Sequence, residues 1–371
     1  MNKNTLALLA CTFAASAVHA QDTSVTVYGV IDMSLAYTSA MGADNRSRMS
    51  LDSGDQMASR IGFRGKEDLG GGLSAIFQLE NGFDADSGAM ATPGTLFDRK
   101  SVLGLNGPWG TLTAGRQTDM LEDIGTRYTS FQIFGGGGMR AAHFNGQDRI
   151  TGGRTSNSLR FDSPAYGGFT TSLFYGMGEV AGSQSAGRAL GIGGNYANGG
   201  FGLGAAYYQS ALATDTTVAH AGDTALKTFT IGASVQAGPA KLFGAWSQTR
   251  LPLQTAIATT GLTSLTNATR ANVIDLGVDY ALDSRLHLLG SAIHDRIDLA
   301  RATTGATRGH TTQFNLGVDY LFSRRTDVYL VASRQQASEV INPGIIGAAY
   351  SSAPGDDRSQ TVLRAGLRHR F

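Results

Sequence analysis

The sequence predicts an all-β fold: a transmembrane antiparallel β-barrel of about sixteen strands with one connection folded inward. Three observations point there. Apolar and polar residues alternate with a period of two along most of the chain, which sorts side chains onto two faces of a strand. Connections between these stretches are alternately short and long, as up-and-down strand order produces when one rim has turns and the other loops. One connection, 117–153, is far longer than the rest of a compact wall requires, and connections of that length are usually functional.

Residues 1–20 read as a signal peptide. Lys3 supplies a positive start, Leu6 to Ala17 an apolar run too short to span a membrane, and Val18-His19-Ala20 a small-residue cleavage site. The alternative is a lipoprotein signal at Leu8-Leu9-Ala10-Cys11, which would leave an unusually short apolar run. Residues 21–371 are then the barrel. Its first strand is the clearest: Val25, Val27, Ile31, Met33, Leu35 and Tyr37 share one parity, and Thr26, Asp32 and Ser34 the other. The same sorting returns in strands beginning near Leu73, Phe169, Phe229, Ile274 and Phe314. Leu276-Gly277-Val278-Asp279-Tyr280 recurs as Leu316-Gly317-Val318-Asp319-Tyr320, a spacing suited to two strands with their connections.

Short turns are expected near 66–71, 106–110, 162–168, 198–200, 238–239, 281–284 and 322–325. Long loops are expected at 38–48, 83–96, 117–153, 177–187, 211–225, 250–269, 295–308 and 335–358, the turns facing the periplasm and the loops the outside. Between the short strands at Thr111–Arg116 and Arg154–Phe161, the 117–153 segment shows neither sustained alternation nor a helical stripe. In a barrel of this size, which encloses water rather than a filled core, such a segment has room to enter the lumen and constrict it. The last strand carries Leu363, Ala365, Leu367 and Phe371 on one face and Arg364, Arg368 and Arg370 on the other. Arginines facing lipid at mid-depth would cost about 2–4 kcal/mol each, so that face points to a wet interior.

Composition narrows the chemistry. Cys11 is the only cysteine, so the mature chain has no disulfide framework, thiolate metal site or cysteine nucleophile. Removing Lys3 with the signal leaves 29 basic and 29 acidic residues, and no global basic field argues for nucleic acid. His143, His220, His287, His294, His310 and His369 are scattered without metal-ligand spacing, so neither metal nor cofactor is expected. Gly135–Gly138 lacks the lysine of a phosphate cradle, and Gly191-Ile192-Gly193-Gly194 sits in an alternating strand rather than before a helix.

Several motifs together resemble the trimeric general porins of Gram-negative outer membranes, nearest to the neisserial-type subgroup. They are Val27-Tyr28-Gly29, Ser59-Arg60-Ile61-Gly62-Phe63-Arg64-Gly65, Leu112-Thr113-Ala114-Gly115-Arg116-Gln117, Asn157-Ser158-Leu159-Arg160-Phe161-Asp162-Ser163-Pro164 and the ending Gly366-Leu367-Arg368-His369-Arg370-Phe371. The resemblance implies an outer-membrane diffusion channel for small hydrophilic solutes and inorganic ions, with an arginine ladder at its constriction that matches Arg60, Arg99 and Arg154. The chain departs from cation-preferring members at the loop tip, where Phe131-Gln132-Ile133-Phe134-Gly135-Gly136 holds no acid. Asp119, Glu122 and Asp123 open the same loop; if they do not reach the ladder, the eyelet favours anions. Weak to moderate anion selectivity is the expectation.

Lys100, Arg116 and Asn157 read as outward by parity yet too polar for lipid, which predicts either a homotrimer interface over them or a local parity break at a bulge. Phe371 resembles the terminal signal read by the outer-membrane assembly machinery. The competing class is an outer-membrane adhesin or barrel enzyme. An enzyme would carry a clustered catalytic triad, and an adhesin domain a passenger; the sequence offers neither, so no catalytic activity is expected.

Overall fold

The computed structural model describes residues 24–41, 46–143, 146, 148–211, 225–250, 268–299, 308–338 and 359–371. The expected signal segment 1–20 lies outside these residues, as do most of the expected loops 211–225, 250–269, 295–308 and 335–358. The first wall strands are β1 (Ser24–Met41), β2 (Arg46–Ser53), β3 (Arg60–Gly70), β4 (Leu73–Gly82), β5 (Lys100–Gly107) and β6 (Gly110–Thr118). Two helices follow, α1 (Met120–Tyr128) and α2 (Phe131–Met139). The wall resumes with β7 (Arg154–Asp162), β8 (Phe169–Gly176), β9 (Ala189–Asn198), β10 (Phe201–Ala211), β11 (Ala225–Ala237) and β12 (Ala240–Arg250). It ends with β13 (Ala268–Ala281), β14 (Leu286–Leu299), β15 (Arg308–Leu321), β16 (Thr326–Ala337) and β17 (Ser359–Arg370).

Every strand pairs antiparallel with its neighbours, and β1 pairs with β17, so the sheet closes on itself. The upper half of β1 pairs with β2 and its lower half with β3, which makes β2 and β3 two halves of one wall strand. The barrel therefore has sixteen staves. The break at 54–59 was not foreseen from the sequence, and it turns out to matter inside the barrel. Connections at one rim are short, such as 71–72, 108–109, 199–200 and 238–239. Those at the other rim include 83–99, 119–153 and 177–188. The expected loop 38–48 is narrower than its sequence suggested, because β1 runs to Met41 and β2 starts at Arg46.

The side-chain sorting follows the alternation. Val25, Val27, Ile31, Leu35 and Tyr37 are exposed on the outer face, whereas Asp32, Ser34 and Thr38 are buried on the inner one. Such an inversion, apolar outside and polar inside, suits a barrel whose outer solvent is hydrocarbon. The inward arginines of β17 differ from expectation in one respect. Arg364 and Arg368 are only 6% and 7% exposed and lie in ion pairs, Arg364 with Asp55 at 3.0 Å and Arg368 with Asp327 at 2.8 Å. That part of the interior is packed rather than open water.

Closure ends at the last residue. Gly29 N donates to Phe371 O at 3.0 Å and Phe371 N donates to Gly29 O at 3.1 Å. The Phe371 ring lies directly over Gly29, where an added Cβ would stand 2.4 Å from the ring and 2.6 Å from Arg60 O. An aromatic ring covering a strand glycine compensates for its missing side chain. Deleting Phe371, or the substitution Gly29→Leu, is therefore expected to lower the fraction of heat-modifiable folded protein on a cold-loaded gel. Unchanged folded fractions in both variants would contradict this account of closure.

Candidate functional site

The segment between β6 and β7 leaves the wall and lies on its inner face. Asp119 caps α1, its side chain accepting from Leu121 N at 2.9 Å. Met120, Leu121, Ile124, Gly125 and Tyr128 form the buried face, while Thr126 and Arg127 are exposed and Glu122 and Asp123 half-buried on the other. Acids in the first turn and Arg127 in the last complement the helix dipole. The sequence reading found no helical stripe here. The stripe exists, but two turns of it are too short to stand out against the surrounding polar residues.

Glycine makes the wall flat enough to receive this helix. An added Cβ would lie 2.8 Å from Met120 at Gly193, 2.7 Å from Ile124 at Gly204 and 2.6 Å from Tyr128 at Gly232. These inward positions of β9, β10 and β11 thus let apolar side chains rest on bare backbone. Beyond α1, two anchors hold the segment. The first is Asp275 on β13, which accepts from Ser130 N at 2.8 Å and contacts His143 Nε2 at 3.0 Å, while His143 Nδ1 meets Asp148 Oδ2 at 2.6 Å. Ser130 Oγ bonds Asp275 rather than His143, so the cluster is built as a clamp and not as a nucleophile with its base. The second anchor is the break between β2 and β3. Gln56 Nε2 donates to Ile133 O at 3.0 Å, and Gly135, with φ of 67°, presses on Gln56 so closely that a Cβ would stand 1.5 Å from its carbonyl oxygen. Phe134 and Met139 then pack with Val273, Leu289, Ile293, Tyr329 and Val331 on the inner wall.

The arginines matched by resemblance cluster on the wall beside this segment. Arg99 Nε lies 2.6 Å from Glu80 Oε1, and Arg60 Nε lies 3.6 Å from Glu80 Oε2. Tyr28 donates to the same carboxylate at 2.9 Å. Arg154 donates to the Arg99 and Gly152 carbonyls at 2.9 and 3.0 Å and has no ion pair among the described residues. The three acids that open the loop separate. Asp119 is fully buried against Arg149 at 2.7 Å, and Asp123 pairs with Arg160 at 2.5 Å. Burial pushes both carboxyls up in pKa against the pull of those guanidiniums. Glu122 alone turns toward the ladder: its carboxylate and the Arg154 guanidinium both flank Gly152, and its charge acts on Arg60 and Arg154.

Lys100 requires a correction. It pairs in register with Glu80 and lines an inner pocket of about 480 Å³ with Arg64, Gln78, Asp123 and Arg160. Arg99 and Lys100 are adjacent yet both face inward, so simple parity fails at the start of β5. Arg116 and Asn157 do face outward, but beside a bulge: the register shifts between Gly115 and Gln117, and Asn157 adopts φ of 54°. Each also has protein partners, Arg116 the Asp98 carbonyl at 2.6 Å and Asn157 the Glu179 carboxylate at 2.6 Å. Sequence reasoning missed Glu80, Gln56, Asp275 and Arg160. Glu80 was visible as an inward acid diagonal to Arg60, had the register been known.

The clamp carries a pH signature. Burial alone would depress the His143 imidazole, but Asp148 and Asp275 together lift its pKa to about 10. A histidine raised in the folded state contributes stability fully present below about pH 6.5 and lost as pH rises through about 10. His143→Asn removes one partner of a buried charged cluster and is expected to cost about 3–5 kcal/mol at neutral pH. The temperature at which the folded gel band disappears is expected to differ most between the two proteins at pH 6 and to converge toward pH 10–11. A difference that stays constant over that range would contradict the imidazolium assignment.

Comparison with known proteins places this geometry. The Gram-negative porin model matches residues 5–339. An outer membrane porin protein of Bordetella pertussis is 28% identical over 409 residues, and outer membrane porin protein 32 of Delftia acidovorans 29% over 392, each alignment covering 100% of both chains. Major outer membrane protein P.IB of Neisseria gonorrhoeae is 32% identical over 203 residues, 52% of this chain and 54% of the relative. Among solved structures, an anion-selective porin from Comamonas acidovorans superposes with a TM-score of 0.71 at 27% identity, covering 94% of this chain and 100% of that one. An outer membrane protein of Vibrio cholerae in its trimer form superposes at 0.65 with 17% identity, a likeness of fold. The chain belongs to the Gram-negative porin family and is an outer-membrane porin.

Proposed function

We propose that the chain, freed of residues 1–20, forms a water-filled channel for small hydrophilic solutes and inorganic ions, constricted by 117–153 and weakly to moderately selective for anions. It acts as a channel and not as an enzyme. The observation that carries the reading is the charge inventory of the constriction. Arg60, Arg99 and Arg154 stand with Glu80 of their own wall and with Glu122 of α1 beside Gly152, whereas Asp119 and Asp123 are held by Arg149 and Arg160. A narrow site focuses the field of such charges, and an excess of basic residues favours anions. Lys100 on the inner wall adds to that excess. The anion-selective porin of Comamonas acidovorans, similar over its whole length, supports the same sign.

Reversal potentials across a salt gradient in a planar bilayer test the proposal. The native channel is expected to favour chloride over potassium modestly. Arg154→Ser shifts the potential toward cations and Glu122→Gln toward anions; Asp123→Asn shifts it toward anions by less, because Asp162 at 2.9 Å still holds Arg160. A native channel that prefers potassium would contradict the assignment.

The functional unit is a homotrimer assembled through the wall that carries Arg116 and Asn157, two polar groups on an outer face that lipid alone would leave costly. Outer-membrane lipids cover the rest, and the assembly machinery reads the terminal strand ending in Phe371. Native mass measurement in mild detergent is expected to give three copies of the mature chain, and a monomer would contradict the interface.

A further inference from the structure

One row of charges on the outer surface is unexplained by the channel. Lys227 on β11 stands directly opposite Arg250 on β12, and Arg250 directly opposite Arg270 on β13. Arg270 is opposite Asp298 on β14, and Asp298 is opposite Arg308 on β15. These positions share the outward parity of Phe229, Ile231, Trp246 and Ile274, all exposed on the barrel exterior. Adjacent strands lie about 4.8 Å apart, so the first three cations fall within roughly 10 Å of one another. Like charges directly opposite on neighbouring strands repel. Asp298, the one carboxylate among the described residues of the row, is already engaged by Arg308 at 3.3 Å. Among the described residues Arg250 donates only to the neutral Gln248 side-chain oxygen, at 3.3 Å.

The row's height is set by what lies beneath it. Two to four residues toward the barrel waist, Phe229 and Trp246 meet edge to face with centroids 5.9 Å apart, and Ile231 and Ile274 continue the apolar band. Aromatic girdles mark the boundary between hydrocarbon and headgroups. The row is therefore at headgroup level on the long-loop rim, the outside by the orientation such barrels share. It also lies away from the outer face that carries Arg116 and Asn157.

We propose that Lys227, Arg250 and Arg270 form a docking row for the phosphate groups of an anionic lipid of the outer leaflet, whose acyl chains lie along Ile231, Trp246 and Ile274. Phosphate removes the repulsion within the row, and the two guanidinium forks suit its oxygens. The apolar band directly below favours a lipid over a free anion, because only an amphiphile satisfies both surfaces.

The test uses the mature full-length protein in neutral detergent, with bisphosphorylated lipid A, phosphatidylcholine and inorganic phosphate as probes, read by native mass measurement of bound lipid. The bisphosphorylated lipid is expected to bind at least about tenfold more tightly than phosphatidylcholine, and millimolar inorganic phosphate to leave it bound. The triple variant Lys227→Gln, Arg250→Gln, Arg270→Gln is expected to lose about tenfold in that affinity with unchanged single-channel conductance, since none of the three faces the lumen. Should the triple variant fail to fold, Arg250→Gln alone is expected to lose about threefold. Equal binding by native and variant protein would overturn the proposal. Displacement of the lipid by millimolar phosphate would also overturn it, assigning the row to free anions.

Discussion

Everything in this molecule depends on one constraint: in hydrocarbon, each backbone N–H and C=O must be paired within the protein. A sheet meets it only by closing, and closure here ends in the reciprocal bonds between Gly29 and Phe371. Once the wall is closed, every strand has a lipid face and a lumen face. The outward valines, leucines and aromatics and the inward aspartates, serines and threonines follow from that division. So does the location of function, because polar chemistry is affordable only inside or at the rims.

The interior then has its own constraint. A segment of some three dozen residues can enter a barrel only if its apolar side chains and its backbone polar groups find partners on a polar wall. Glycines at 193, 204 and 232 supply flat backbone for Met120, Ile124 and Tyr128. Asp275 and the broken strand at Gln56 supply the polar partners. The same placement decides the electrostatics. Once Asp119 and Asp123 are committed to Arg149 and Arg160, Glu122 is left as the acid facing the ladder, and Glu80 tempers that ladder from within its own wall. The lumen is thus neither a simple positive ring nor neutral.

Much of the wall was legible in the sequence because a period of two needs only local residues to read. Arg60 was legible for the same reason, opposing Ile61 and Phe63 in its strand, whereas the bulge between Arg154 and Leu159 breaks the parity on which the reading of Arg154 rested. What failed were the places where the period breaks. Arg99 and Lys100 both face inward at the start of β5, and the bulge beside Asn157 offsets parity there. The helix α1 was hidden by its length, and the gap between β2 and β3 by the continuity of polar residues across it. Ion pairs such as Glu80 with Arg99 or Asp275 with His143 join residues far apart in sequence, and only register brings them together.

The central claim is that α1 occupies the conducting path with its Thr126 face toward the solutes. Because Cys11, in the proposed signal segment, is the one cysteine of the sequence, one thiol introduced into the barrel reports on one position. Single-channel conductance of Thr126→Cys, recorded while a charged thiol-specific reagent is added, is expected to fall in discrete steps, whereas Leu203→Cys on the outer face is expected to show none. Conductance of Thr126→Cys that stays unchanged after complete labelling would contradict the account.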